Sequence, residues 1–185
     1  MGMMKKEDQI IENNNEQIEQ AEPDNQTENE VILAYAKLSR REIRSVIFHL
    51  LYAMETFDYE ATMDEVVDSF NRGFSLDIPR NSEACIVCQA VIDSREKLDE
   101  IIKPLLINWR FDRIGLCTKL ILRLAVWELL YSDEPHNIII NEAIELAKCF
   151  SETDAYKFIN GILDEAVKII RPGAQQEAET QPKDE

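Results

Sequence analysis

Glycine and proline are scarce in this chain, with five and six among 185 residues, so turns must be few and helices long. An all-α fold is the expectation. No apolar run approaches the roughly 20 residues of a membrane-spanning helix. The N-terminus is polar and lacks both the apolar core of a signal peptide and a myristoylation pattern, so a cytoplasmic location with no membrane partner is expected. Histidine is limited to His49 and His136, expected on the polar side of one helix and in a turn. A Gly-rich phosphate loop, a GxSxG elbow and a DxDxDG calcium loop are all missing from the sequence. Cys85-x-x-Cys88 is half of a zinc motif with no second half, inside an amphipathic stretch, so no metal and no cofactor is expected. Cys85, Cys88, Cys117 and Cys149 read as reduced, small core residues. With neither nucleophile, tuned acid–base pair nor metal in view, the sequence points to binding rather than catalysis.

Acidic residues dominate: 36 Asp+Glu face 20 Lys+Arg, a formal charge of -16. The excess is uneven. Residues 1–36 carry 2-9 = -7, residues 172–185 carry 1-4 = -3, and the middle carries 17-23 = -6. Residues 1–36 are rich in Asn, Gln and Glu, the tail opens on a Pro-Gly stop, and neither end offers a sustained apolar stripe, so they cannot bury enough surface to offset the entropy of ordering. The expected organisation is an acidic, disordered extension over 1–36, a helical domain over 37–171 and a disordered tail over 172–185.

Against that background SRREIRSVIFHLLY, residues 39–52, concentrates three arginines within five positions. Ser39-Arg-Arg-Glu42 has the form of a capping box, which starts a helix. From it Ile43, Val46, Ile47, Leu50, Leu51 and Met54 follow the i, i+3, i+4, i+7 pattern of a core-facing stripe. At about 100° per residue, Arg41, Arg44, Phe48 and Tyr52 fall together away from that stripe. Two rings beside two arginines suit a nucleic-acid edge, with guanidinium groups on phosphates and rings stacked on bases. For an isolated helix the commoner arrangement is a second packed layer over the rings, with the arginines solvating its rim.

Further helices are expected at about 63–71, from an Asn81 cap to Pro104, over 112–131, over 138–150, and from a start at 151–154 to Ile170. The 112–131 segment is apolar around most of its circumference and must be central. Gly161 lies inside the last helix, where glycine costs about 1 kcal/mol against alanine, so either a neighbour packs closely there or a ligand approaches the backbone.

Three blocks, RREIRSVIFHLLYAME, WRFDRIGLCTKLILRLAVWELLY and EPHNIIINEAIELAKCFSETDAYKFINGILDEAVKIIRP, resemble in order and spacing the signature blocks of the bacterial antitermination factor family NusB. The resemblance implies about seven helices in two small three-helix bundles. It implies a protein that binds the boxA element of nascent ribosomal RNA together with the small-subunit ribosomal protein NusE, helping the RNA polymerase elongation complex to ignore terminators. It also implies RNA contacts at Arg40, Arg41, Arg44 and Tyr52, with Lys148, Lys157 and Phe158 in secondary places. Glu42 among the arginines and Thr118 before Lys119 depart from the family's pattern. A NusB-fold interaction module, or a homodimer with little RNA affinity, is the competing expectation; a fragment of an RNA-modifying enzyme is disfavoured by the missing Gly-rich loop. One further expectation is that the acidic extension folds over Arg40, Arg41 and Arg44 and competes with RNA.

Overall fold

A computed structural model describes residues 35–173. Most of the two expected tails, and the expected fold-back of the acidic extension, lie outside the described residues. Tyr35, just before the expected start of the helical domain, packs its ring against the core, and its hydroxyl accepts the Ala84 N–H at 3.4 Å.

Among the described residues the chain forms seven α-helices, two 3₁₀ turns and no strand. The helices are α1 (Arg40–Thr56), α2 (Met63–Phe74), α3 (Glu83–Asp93), α4 (Arg95–Ile102), α5 (Leu116–Tyr131), α6 (His136–Phe150) and α7 (Ala155–Ile170). α1 opens on the capping box foreseen in the sequence: the Glu42 N–H donates to Ser39 Oγ at 3.3 Å, and the Ser39 N–H donates to the Glu42 carboxylate at 2.7 Å. Thr62 and Glu65 repeat the device at α2.

Several boundaries differ from expectation, among them the start of α6 at His136, which places that histidine in the helix rather than in the turn before it. The helix expected from Asn81 to Pro104 is capped instead by Ser82, whose Oγ accepts the Cys85 N–H at 3.4 Å, and it is divided at Ser94. The break lets α3 lie on α1 while α4 turns to pack on α5 and α7. The start expected at 112 becomes a 3₁₀ turn, Phe111–Arg113, and α5 begins only after Gly115.

α5 is the central element. Leu120, Ile121, Leu122, Leu124, Ala125, Val126 and Leu129 are buried around its circumference, and it touches α1, α3, α4, α6 and α7. α1 to α3 group on one side and α6 and α7 on the other, so the two small bundles share one apolar core through α5. Each fully buried Leu or Ile contributes roughly 1.5–3 kcal/mol relative to exposure. Within this apolar helix sits one charge that hydrophobic periodicity does not flag. Arg123 is buried and donates to Asp99 of α4 and Glu55 of α1, tying three helices together. Tyr59 donates to the same Glu55, and burial, with help from that carboxylate, pushes its phenol up to about 12.

The cysteine expectation holds in part: Cys85 and Cys88 are buried in α3, their thiols pushed up by burial, whereas Cys117 is half-buried and Cys149 exposed. A methyl group on Gly161 would meet no atom within 4 Å beyond the backbone of its own helix, among the described residues, so close packing is not what glycine serves there.

Candidate nucleic-acid interface

The arginine-rich start of α1 meets carboxylates from α5, α6 and the turn between them. Arg40 is 83% exposed at its side chain and donates to Glu134 at 3.1 Å. Arg41, 61% exposed, makes a fork to Glu142, with Nε donating at 3.0 Å and Nη2 at 2.7 Å. Arg44 differs from both. Only 6% of it is accessible; Nε donates to Glu128 at 2.7 Å, Nη2 donates to Glu134, and Nη1 lies 4.0 Å from Glu142.

The expectation that Arg44 offers its charge to solvent is therefore corrected. One turn inside α1, it points under the helix into the α5–α6 turn, where burial of a guanidinium is tolerable only because carboxylates surround it. Burial opposes its charge, but Glu128 and Glu134 outweigh it and hold its pKa above the ordinary value. Burial pushes the Glu128 carboxyl up despite Arg44, whereas the hydrogen bond from Arg41 pulls Glu142 down.

The turn that carries Glu134 is itself pinned by Arg171, which in the sequence marks only the domain's end. Arg171 donates to the carbonyls of Leu129 at 2.8 Å, Ser132 at 2.7 Å, Glu134 at 2.7 Å and Glu128 at 3.3 Å. These carbonyls lie at and just beyond the C-terminal end of α5, where a cation is favoured by the helix dipole.

Along α1 the aromatic pair separates. Phe48 is buried and stacks on Phe150 of α6 with centroids 4.8 Å apart, while His49 meets Phe150 edge-on at 4.8 Å. The packed-layer expectation applies to Phe48. Tyr52 remains 43% exposed and keeps a free face. Arg41 pairs with Glu142 and Phe48 stacks on Phe150, so long side chains bridge α1 and α6 at two points along each helix. Tyr52 lies eleven residues beyond Arg41, about 16 Å along the helix.

Lys148 and Lys157 come together around Tyr156, a ring that no motif in the sequence marks. Their ammonium groups lie 5.8 and 5.7 Å from its centroid, with Glu145 and Asp154 as their respective carboxylate partners. Phe158 does not join them. Two residues further on, it is turned about 200° around α7 and packs against Trp109 with centroids 5.5 Å apart. It lines a separate cleft of about 460 Å³ with Trp109, Arg113, Thr118 and Glu152. Thr118 is buried there and donates to Ser151 at 3.3 Å. Sequence periodicity could have found Tyr156 only by pairing α6 with α7, because its two lysines come from different helices.

A NusB family profile matches residues 41–168. The chain is 36% identical over 132 residues to the transcription antitermination protein NusB of Macrococcus caseolyticus, spanning 71% of this chain and 98% of that protein. It is 40% identical over 126 residues to the NusB of Staphylococcus haemolyticus, spanning 68% and 97%. Of solved structures, T. maritima NusB aligns with TM-score 0.65 at 29% identity, covering 76% of this chain and 99% of that one. The solution structure of NusB from Aquifex aeolicus, at 23% identity and TM-score 0.55 over 78% and 95% of the two chains, shares the fold.

Proposed function

The chain belongs to the NusB family of transcription antitermination proteins, and we propose that it works by binding boxA-type single-stranded RNA together with the small-subunit ribosomal protein NusE. In this reading the RNA–protein assembly joins the RNA polymerase elongation complex in the cytoplasm and promotes read-through, with no catalysis by this chain. The observation that carries it is the exposure of Arg40, Arg41 and Tyr52 on one helix of a domain that is otherwise net acidic. Guanidinium groups at a helix N-terminus hold phosphates with help from the helix dipole, and an exposed ring offers a platform for an unstacked base. Lys148 and Lys157 beside Tyr156 form the secondary contact region. Arg44 supports the surface from beneath, and Phe158 faces a different cleft.

The test is a salt series of binding to a boxA-type oligonucleotide, with and without NusE, for wild type, Arg40→Glu with Arg41→Glu, and Tyr52→Ala. The charge reversal should weaken binding and flatten the salt dependence by about 0.7 per lost phosphate contact. Loss of the Tyr52 ring should cost about 1–3 kcal/mol if one base stacks on it. RNA binding indifferent to all three substitutions removes the proposed site. The charge balance of Arg40, Arg41 and Arg44 against Glu128, Glu134 and Glu142 favours a second reading, a protein-interaction module or homodimer with little RNA affinity. Indifference to the substitutions, with a concentration-dependent size on chromatography, would support it.

A further inference from the structure

We propose that Glu142 occupies on Arg41 the place of an RNA phosphate, so that RNA binds by exchanging a phosphate for this carboxylate and Glu142 sets the affinity. The inference rests on the RNA-binding reading above and adds to it a residue that opposes binding. Its basis is the division of labour among the three arginines of α1.

Glu142 takes the Nε and Nη2 edge of Arg41 through two bonds of 3.0 and 2.7 Å. That edge is the fork with which arginine grips a carboxylate or a phosphate in the same bidentate manner. A phosphate arriving at the remaining edge would meet a cation already neutralised. Exchange at the occupied edge restores to the RNA a full positive charge.

The two partners also differ in freedom. Arg41 is 61% exposed at its side chain, Glu142 only 14%, and Glu142 has the buried Arg44 behind it at 4.0 Å. Arg44 is in turn fixed by Glu128 and Glu134. When the pair opens, Arg41 is the member that moves, and the carboxylate stays beside a second cation. Arg40 and Glu134 repeat the pattern, an 83% exposed arginine tied to a carboxylate that is 15% exposed and shared with Arg44. The buried arginine thus holds in place the two carboxylates that occupy the two exposed arginines. Surface ion pairs are weak, so such an exchange is reversible, and a strand bringing several contacts can drive it.

The experiment uses the full chain, a boxA-type single-stranded RNA oligonucleotide as probe, and a salt series read by fluorescence anisotropy. Glu142→Gln keeps the size of the side chain and leaves Arg44 with Glu128 and Glu134; a thermal melt checks folding, and Glu142→Asp, which shortens the reach by one methylene, serves as a second variant. Expected is a tightening of about three- to tenfold at low salt for Glu142→Gln, a smaller one for Glu142→Asp, and a salt dependence steeper by up to about 0.7. The gain should disappear in an Arg41→Gln background, and Asp133→Asn, which removes a nearby charge that pairs with no arginine among the described residues, should reproduce little of it. Unchanged or weaker binding by Glu142→Gln, or an equal gain with Arg41 already removed, overturns the exchange. If Arg41→Gln weakens binding while Glu142→Gln does nothing, the exchange fails and the RNA reading stands; if neither Arg40→Gln nor Arg41→Gln alters binding, both fail.

Discussion

Arg123 and Asp99 meet inside the molecule as a double fork, with Nε and Nη2 of the arginine donating at 2.7 and 2.9 Å to the two carboxylate oxygens. The arginine belongs to the central helix and the aspartate to α4, so the pair fixes how α4 closes on the core. Removing Asp99 strips two bonds from the buried Arg123 and leaves Glu55 as its remaining carboxylate. Asp99→Ala should destabilise the fold by about 1.5–3 kcal/mol in urea titrations, because Arg123 keeps Glu55 but loses its double fork. Replacing both together, as Arg123→Met with Asp99→Leu, should recover only part of that loss, because neither of these charges then has to be desolvated but Glu55 loses its cation.

The seam between α1 and α6 is apolar beneath its charged end. Phe48→Ala should cost about 3–5 kcal/mol, from lost burial and from the cavity left against Phe150. Phe48→Leu should cost less than about 1.5 kcal/mol while removing the ring stack. A near-equal loss for the two variants would mean that the stack with Phe150, rather than filled volume, holds the seam.

Acid should act on this region through two carboxylates in opposite senses. Glu142 is held below the ordinary value of 4.5, first by its hydrogen bond from Arg41, so its contribution to stability is present above that value and lost as pH falls through the depressed one. Glu128 is pushed above 4.5 by burial, so the folded state binds its proton more readily than the unfolded chain, and stability from this group declines as pH climbs between the two values. Urea unfolding measured from pH 3 to pH 7 should therefore show a shallower acid decline for Glu142→Gln. Glu128→Gln should lack the decline just above 4.5 that the wild type carries.

Gly161 gives a prediction of the opposite sign. An alanine methyl there meets nothing within 4 Å among the described residues, and the position is inside α7, so Gly161→Ala should stabilise by about 1 kcal/mol through helix propensity. A thermal melt checks it. If the variant is more stable yet binds RNA or NusE less well, the bare backbone at Gly161 serves an approaching partner.

Several elements were legible from local chemistry. The Ser39–Glu42 box required only four adjacent residues, and the central place of α5 followed from apolar side chains around most of its circumference. The division at Ser94 was not legible, because the apolar pattern continues through it and the break answers to where α4 must pack. The arginines show the same limit within the candidate interface. Helical spacing placed Arg44 beside Arg41 and Phe48 beside Tyr52, but periodicity reports direction around an axis and carries no information on what lies in that direction. Glu134 and Glu142, about a hundred residues away, decide that Arg44 is buried and Arg41 is not.

By itself the sequence determined an all-α fold, its family, and the helix where positive charge gathers, since composition, caps and apolar spacing act within a few residues of one another. Only the tertiary structure decided which of those charges reach solvent, which ring stays open, and that the arginines are matched by carboxylates from α5, α6 and their connecting turn. Those outcomes depend on Coulomb and packing energies between distant segments, and such energies exist only once the helices have docked.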